Sequence, residues 1–320
     1  MKIYSEPEIR AVIGLDQGTL TAVRGAFLAL AGGRVQMPPV MHLELPAVRG
    51  EVDVKTAVIA GMDHFCLKVS TGFFENPARG LPSLGGMMVV LSALTGEIVA
   101  VLMDKGYLTD IRTALAGALA ADAMAQPSVA TVAIIGAGVQ ARLQARALML
   151  VRDVQEFRIY ARDMDRASAC AQDIAQATGQ RARACATTRD ACDGAQLVVT
   201  TTPATMPVLT LQDVDRGTHV TAMGSDAPHK RELSDDLIFA ADAVAVDDRA
   251  QSLVLGELRA VAGKLSDVRL LTTLGAQVGA HSPLRQSLPA GAITICDLTG
   301  TGAQDTAIAI EAMHRLGRAA

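Results

Sequence analysis

One stretch constrains this chain more than any other: VATVAIIGAGVQARLQ, residues 129–144. Its opening apolar run suits a strand buried on both faces. The run ends in Gly136-Ala137-Gly138-Val139-Gln140-Ala141, a Gly-x-Gly-x-x-Ala loop that opens a helix. Gly136 allows the tight turn, Gly138 lets a pyrophosphate approach the backbone, and Ala141 keeps the helix close to the sheet. The helix N-terminus then offers unpaired N–H groups and its positive dipole end to phosphates. In this strand–loop–helix setting the motif predicts dinucleotide binding, with Gly136, Ala137, Gly138, Val139 and Gln140 as contacts. A merely tight turn in an unliganded domain is the plainer alternative.

The pattern continues in the same style. A helix is expected over 139–151, a strand over 157–161 and a helix over 164–178. Further strands read at 197–201, 219–223, 243–247 and 292–296. Strands alternating with helices predict an α/β architecture with a doubly wound parallel sheet. The second strand ends in Arg162-Asp163. An acid there bonds the ribose hydroxyls of NAD, whereas an Arg accommodates the extra phosphate of NADP. Asp163 favours NAD, and Arg162 leaves NADP open. Ligands of open α/β sheets bind beyond the carboxyl ends of the strands. Thr201 and Thr202 follow one such strand, and Met223, Gly224 and Ser225 follow another. They are candidate nicotinamide contacts, although Thr and Ser are also ordinary turn formers.

Before Pro127 the texture differs. Helices are expected over 3–31, with Ser5 as an N-cap three residues before Glu8. Residues 52–60 and 64–70 are β-like, and 86–92 and 97–103 form a hairpin around Thr95-Gly96-Glu97. An Ala-rich helix runs from about Thr109 to Ala125 and stops at Pro127, and a last helix covers Gln304 to Ala320. A length of 320 residues suits about two domains. The expected division is an α+β substrate and dimerisation domain, 1–121 with 301–320, and a dinucleotide-binding domain, 122–300. The Ala-rich helix bridges them.

Composition excludes several function classes. Half the residues are apolar and mean hydropathy is +0.29, which excludes global disorder. A net charge of −4, 3% aromatics and no Trp argue against nucleic-acid binding. The cysteines, Cys66, Cys170, Cys185, Cys192 and Cys296, are odd in number and contain no Cys-x-x-Cys pair. That argues against a metal site or a disulfide framework and for reduced thiols in a cytoplasmic protein. The most apolar stretch, Gly85 to Met103, is interrupted by Gly96 and Glu97, so a hairpin is expected and no membrane span. The opening MKIYSEPEIRAVIG does not read as a signal peptide.

Several motifs, taken in order, carry a resemblance. They are LKVSTGFFENPARGLPS with Lys68, Thr95-Gly96-Glu97, GYLTDIRTALAGALAA with Arg112, IIGAGVQARLQARAL, MGSDAPHKREL with Asp226, Val246-Asp247-Asp248 and Gly256-Glu257. From about residue 35 to 310 the chain resembles the ornithine cyclodeaminase/μ-crystallin family. The resemblance implies a Rossmann domain inserted between the parts of a dimerising substrate domain, a homodimer, and NAD(P) chemistry on amino or imino acids. By match to the family's motifs, Lys68 and Asp226 carry the chemistry, Arg112 and Ser83 bind substrate, and Thr113, Thr299 and Gly300 contact cofactor. Arg112 can fork onto a carboxylate near a helix N-terminus that also favours anions. Lys68 can bind a carboxylate or supply a proton, and Asp226 can hold a nitrogen cation. On their residues alone, Asp226 can also cap the following segment and Arg112 can pair with Asp110 or Asp104.

One departure bears on the substrate. Many members carry an Arg in the early Pro-Pro-Arg segment, where this chain has Pro38-Pro39-Val40. His42 or Lys55 can replace that cation. The variant motifs look more like the ectoine-utilisation and iminosuccinate reductase subgroup. A dicarboxylate needs two anion sites, and Lys55, Lys68, Arg79 and Arg112 offer enough cations, with Arg79 reading equally as a loop surface residue. The resemblance thus implies an NAD(P)H-dependent imino-acid reductase converting iminosuccinate to aspartate. A cyclodeaminase acting on ornithine or diaminobutyrate with retained NAD, and a non-catalytic ligand-binding protein like μ-crystallin, are the alternatives.

Overall fold

The computed structural model describes residues 1–281 and 284–319. The chain forms two compact units, Met1–Arg112 with Thr301–Ala320, and Thr113–Gly300. The first division falls at 112/113, inside a helix, where the sequence suggested 121/122. The elements of the first unit are β1 (Lys2–Ser5), α1 (Glu6–Val12), α2 (Gln17–Ala31), β2 (Val35–Gln36), β3 (Met41–Leu45), β4 (Gly50–Ile59), β5 (His64–Phe73), β6 (Leu84–Ser92) and β7 (Ile98–Met103). The helix α3 (Tyr107–Met124) leads into the second unit. There follow β8 (Thr131–Ile135), α4 (Val139–Leu148), β9 (Glu156–Tyr160), α5 (Met164–Thr178), β10 (Arg181–Cys185), α6 (Thr188–Cys192), β11 (Leu197–Thr200), β12 (His219–Ala222), α7 (Asp235–Ala240), β13 (Ala243–Val246), α8 (Arg249–Ser252), β14 (Leu271–Thr273), α9 (Leu274–Val278), α10 (Leu284–Ser287) and β15 (Thr294–Asp297). The chain then returns to the first unit as α11 (Gly302–Ala319).

The first unit is a mixed sheet in the order β1-β7-β6-β5-β4-β2, with β3 also on β4. Buried and less buried residues alternate over part of each central strand. Ala57, Cys66, Met88, Val90, Ala100 and Leu102 are buried on one face, where α11 packs on β4 and β5 and α2 packs on α11. Arg315 of α11 fastens the helices by pairing with Asp16 at 2.8 Å and donating to the Val12 carbonyl. Ser5 caps α1 as expected, with its N–H on Glu8 at 2.8 Å. The stretch 3–31, expected to be helical, opens instead on β1, a strand parallel to β7. Pairing along an open sheet edge overrides the local helical pattern.

The second unit is an eight-stranded sheet in the order β10-β9-β8-β11-β12-β15-β13-β14. Every pairing in it is parallel. The strand order reverses between β8 and β11, the crevice where such sheets take ligands. Its central strands β11, β12, β13 and β15 are buried throughout, and β8 is buried but for Thr131. The strand β10, with the alternating sequence RARAC, escaped the sequence reading because an edge strand needs no continuous apolar run.

Candidate active site: a nucleotide loop, a buried acid chain and a cation cluster

The loop after β8 has the geometry its glycines suggested. Gly136 sits at φ +127°, and a Cβ there would stand 2.4 Å from Thr201 Oγ1. Its N–H bonds the Tyr160 carbonyl at 2.8 Å. Gly138 is the N-cap of α4 and, lacking a side chain, supplies no cap of its own to the helix start. A Cβ at Gly138 would meet nothing within 4 Å. Ala137 and Gln140 are half-buried and Val139 is exposed beside this opening. An uncapped helix start under open space fits a pyrophosphate.

At the end of β9, Asp163 is the N-cap of α5 and accepts from the N–H groups of Asp165 and Arg166 at 3.0 and 3.1 Å. Its carboxylate thus has a helix-capping duty that the sequence reading did not weigh. Arg162 is exposed beside it.

At the carboxyl ends of the central strands lies a chain of buried carboxylates. Glu232 is fully buried. It accepts from Thr202 N at 2.6 Å, Thr202 Oγ1 at 2.7 Å, Thr200 Oγ1 at 2.6 Å and Gly224 N at 2.7 Å. Glu257 accepts from the N–H groups of Glu232 and Leu233 at 2.8 and 3.1 Å. Asp297 accepts from Glu257 N at 2.9 Å and from Ser252 Oγ. Asp247 accepts from Thr299 N at 2.8 Å, Thr299 Oγ1 at 2.8 Å and Gly300 N at 2.6 Å. Burial pushes the Glu257 carboxyl up to about 7, against the backbone N–H groups that favour its charge. Burial likewise raises Glu232, with Thr200, Thr202 and Gly224 opposing. The expected nicotinamide contacts Thr202, Gly224, Thr299 and Gly300 therefore spend these donors on the protein's own acids. Thr201 bonds the Ile135 carbonyl through its N–H at 2.8 Å. Ser225 Oγ bonds the Lys230 carbonyl at 2.9 Å, and Met223 is buried beside this loop. Asp226, half-exposed, pairs with the buried Lys230 at 2.8 Å. Thr113 offers its carbonyl to Gln144 Nε2 at 3.2 Å.

The first unit holds a buried cation cluster. Lys68 on β5 is 2% exposed and lies 2.9 Å from Asp305 of α11. Arg112 on α3 donates from Nε to the other Asp305 oxygen at 3.0 Å. This answers the alternatives of Asp110 and Asp104. Neither terminal nitrogen of Arg112 makes a hydrogen bond among the described residues, which leaves both to an anion. Lys55 on β4 is 6% exposed and stands directly opposite Lys68 in the strand register. Like charges directly opposite on a sheet destabilise it unless an anion compensates. Burial pulls Lys68 down to about 8; Asp305 opposes this, while Arg112 and Lys55 add to it. Burial disfavours the charged Asp305, but Lys68, Arg112 and Lys55 together hold its carboxyl below the usual carboxylate range. Asp104, at the end of β7, is raised by burial to about 6. The sequence reading missed Asp305. Its signal is an acid on the stripe it shares with the buried Ile308, Ala309 and Ala312 of α11.

Of the other expected substrate contacts, His42 and Ser83 bond groups outside the cluster, although His42, opposite Asp53, shares the face of Lys55. His42 of β3 is taken by carboxylates, with Nδ1 2.7 Å from Asp53 and Nε2 3.5 Å from Glu44. Arg79 is exposed at the end of a short turn, Asn76–Arg79. Ser83 is half-buried just before β6, and its carbonyl accepts from Phe73 N at 2.7 Å. Among the described residues, no group of three or more His, Cys, Asp and Glu is arranged to hold a metal. No described helix is long and apolar enough to cross a membrane.

Two units of this kind, one with a parallel nucleotide sheet and one with a buried cation cluster, define an α/β protein of the dinucleotide-binding class. The sequence pattern of the Ornithine cyclodeaminase/mu-crystallin family matches residues 3–316, and the chain belongs to that family. It is 47% identical to an uncharacterized cyclodeaminase of Sinorhizobium fredii, over 98% of this chain and 96% of the relative. The structure is similar to an archaeal alanine dehydrogenase dimer with bound NAD, at TM-score 0.88 and 30% identity, covering 99% of this chain and 97% of the other. It is also similar to the iminosuccinate reductase of Paracoccus denitrificans in complex with NAD+, at TM-score 0.88 and 26% identity, covering 99% and 96%.

Proposed function

We propose that the protein is an NAD-dependent reductase of imino acids, with iminosuccinate as substrate and aspartate as product. The observation that carries this is the buried cluster in which Lys68 and Arg112 both reach the single carboxylate of Asp305, with Lys55 opposite Lys68 in the strand register. Cations held in this way suit an anionic substrate, and the Lys55–Lys68 pair favours a second carboxylate on it. Lys55 is the better stand-in for the cation absent at Val40. It is buried opposite Lys68, within the cation cluster, whereas His42 is paired with Asp53 and Glu44. The solved relatives bound to NAD or NAD+ support the cofactor.

When bound, NADH supplies a hydride to the imine carbon. The uncapped start of α4 and the open backbone at Gly138 hold the pyrophosphate. Arg112 grips a substrate carboxylate through its terminal nitrogens while Asp305 fixes its Nε. Lys68 and Lys55 neutralise further carboxylate charge. If the imine arrives neutral, Lys68 gives up the proton that the nitrogen needs, which its lowered pKa permits near neutral pH. The overall balance is imine, hydride and proton in, amine out.

The outer face of the first sheet also supports a homodimer. Met41, Val54, Val69 and Met87 stand side by side across β3 to β6, and Ile3 pairs with Val101 on β1 and β7. Met41 and Ile3 are 58% and 64% exposed. A contiguous apolar face of this kind marks an association surface.

The test is initial rates of NADH and NADPH oxidation with oxaloacetate plus ammonia, run beside pyruvate and glyoxylate plus ammonia. Fast turnover only with oxaloacetate and ammonia is expected. No turnover with any of the three overturns the reductase. The name of the Sinorhizobium relative favours the second reading, a cyclodeaminase with retained NAD. Ammonia release from ornithine or diaminobutyrate without net change in NADH would establish that one.

A further inference from the structure

We infer that Glu232 is a positioning residue that sets the two loops lying beyond β11 and β12, and through them the seat of the nicotinamide ring. The inference rests on the nucleotide-binding function proposed above. Among the described residues, the Glu232 carboxylate makes no hydrogen bond to the loop 136–141, Arg162 or Asp163. Its four hydrogen bonds go instead to Thr200, Thr202 and Gly224. One carboxylate oxygen takes the N–H and hydroxyl of Thr202; the other takes the Thr200 hydroxyl and the Gly224 N–H. The two loops are thus held by opposite ends of one buried carboxylate.

The approach is close. A Cβ at Gly224 would lie 2.0 Å from the Thr202 carbonyl and 2.6 Å from Glu232 Cδ. Any slack in Glu232 lets one loop move against the other. Glu232 is itself held from behind. Glu257 takes the N–H of Glu232 and of Leu233, and Asp297 takes the N–H of Glu257. The acids form a chain from the end of β15 to the end of β11. The same 224–232 segment carries Asp226, so its placement depends on the same clamp.

The chemistry of the clamp makes it sensitive to one atom. All four partners donate. A Glu232→Gln variant keeps the shape but must turn its NH2 toward one pair of donors. The threonine hydroxyls can rotate to accept, but each pair also contains a backbone N–H, at Thr202 or at Gly224, that cannot. Whichever way the amide lies, one loop loses its anchor.

The experiment compares dissociation constants of NADH and ADP-ribose, which lacks the nicotinamide, for the full-length wild-type protein and Glu232→Gln. A weakening of about tenfold for NADH is expected, from the loss of a buried charge-assisted hydrogen bond, with ADP-ribose within about twofold of wild type. A rise in the primary deuterium isotope effect with C4-deuterated NADH should accompany it. Equal weakening of both ligands, or no change for NADH, overturns the inference. If Glu232→Gln does not fold, Thr200→Val removes one donor to the same carboxylate and should show the same split in smaller measure. Its absence there is equally decisive. A wild-type protein that binds neither ligand defeats the nucleotide reading itself, and the inference with it. A wild-type protein that binds both, with variants that do not separate them, defeats the inference alone.

Discussion

At the scale of single residues, the cation cluster supplies the sharpest expectations. Arg112 reaches Asp305 through Nε only, so its terminal nitrogens are the ones available to a substrate. Arg112→Ala should lower kcat/KM for the imino acid at least about tenfold, roughly 1.4 kcal/mol of transition-state binding. An unchanged value in steady-state assays removes Arg112 from the site. Lys68 makes a pH prediction. Its pKa is lowered to about 8. The ammonium form persists below that value and is lost as pH rises through it. If the cation binds substrate, kcat/KM should fall above about pH 8. Lys68→Arg, whose guanidinium stays charged, should abolish that limb even where it lowers activity. A pH profile with the same limb in both proteins would show that another group is titrating. These cations were legible because the chemistry of a carboxylate calls for them. Asp305 and Glu232 were not. Each is an acid that binds the protein's own cations or donors, and nothing in its local sequence says which distant group it meets.

At the scale of elements, the turn after β8 separates folding from binding. Gly136 needs its positive φ and the space against Thr201, so Gly136→Ala should both destabilise the protein and impair nucleotide binding. Gly138 has an ordinary extended backbone at φ −85°, and open space where a Cβ would go. Gly138→Val should therefore leave Tm within a few degrees of wild type, yet weaken NADH binding about tenfold or more by filling the phosphate's approach. Thermal melts and nucleotide titrations on the pair check this, and a Gly138→Val protein that binds NADH normally would place the phosphate elsewhere. The elements themselves divide along the same physical line. The buried parallel strands and α5 could be read because continuous apolar runs and helical spacing between strands are local signals. The edge strands β1, β3, β10 and β14 could not, because they are set by the neighbour they pair with.

At the scale of the whole molecule, the first sheet presents two different faces from the same strands. The alternation that buries Cys66, Lys68 and Met88 on one side puts Leu67, Val69 and Met87 on the other. The alternation was visible in the sequence as two β-like segments, but which face would be covered was not, because α11 arrives from the far end of the chain. Full burial of a side chain such as Val69 or Met87 is worth about 1.5–3 kcal/mol, and since both are already half-buried, a second copy laid on this face gains part of that from each. A charge placed there must then be desolvated without a partner. Sedimentation velocity of the wild-type protein should give about twice the 33.3 kDa chain mass. Val69→Asp should give a folded monomer, since that side chain points away from the cation cluster across the sheet. A dimer that survives Val69→Asp and Met87→Asp alike would assign association to another surface. A Val69→Asp monomer that still bound NADH with wild-type affinity would show that the nucleotide unit works without the dimer.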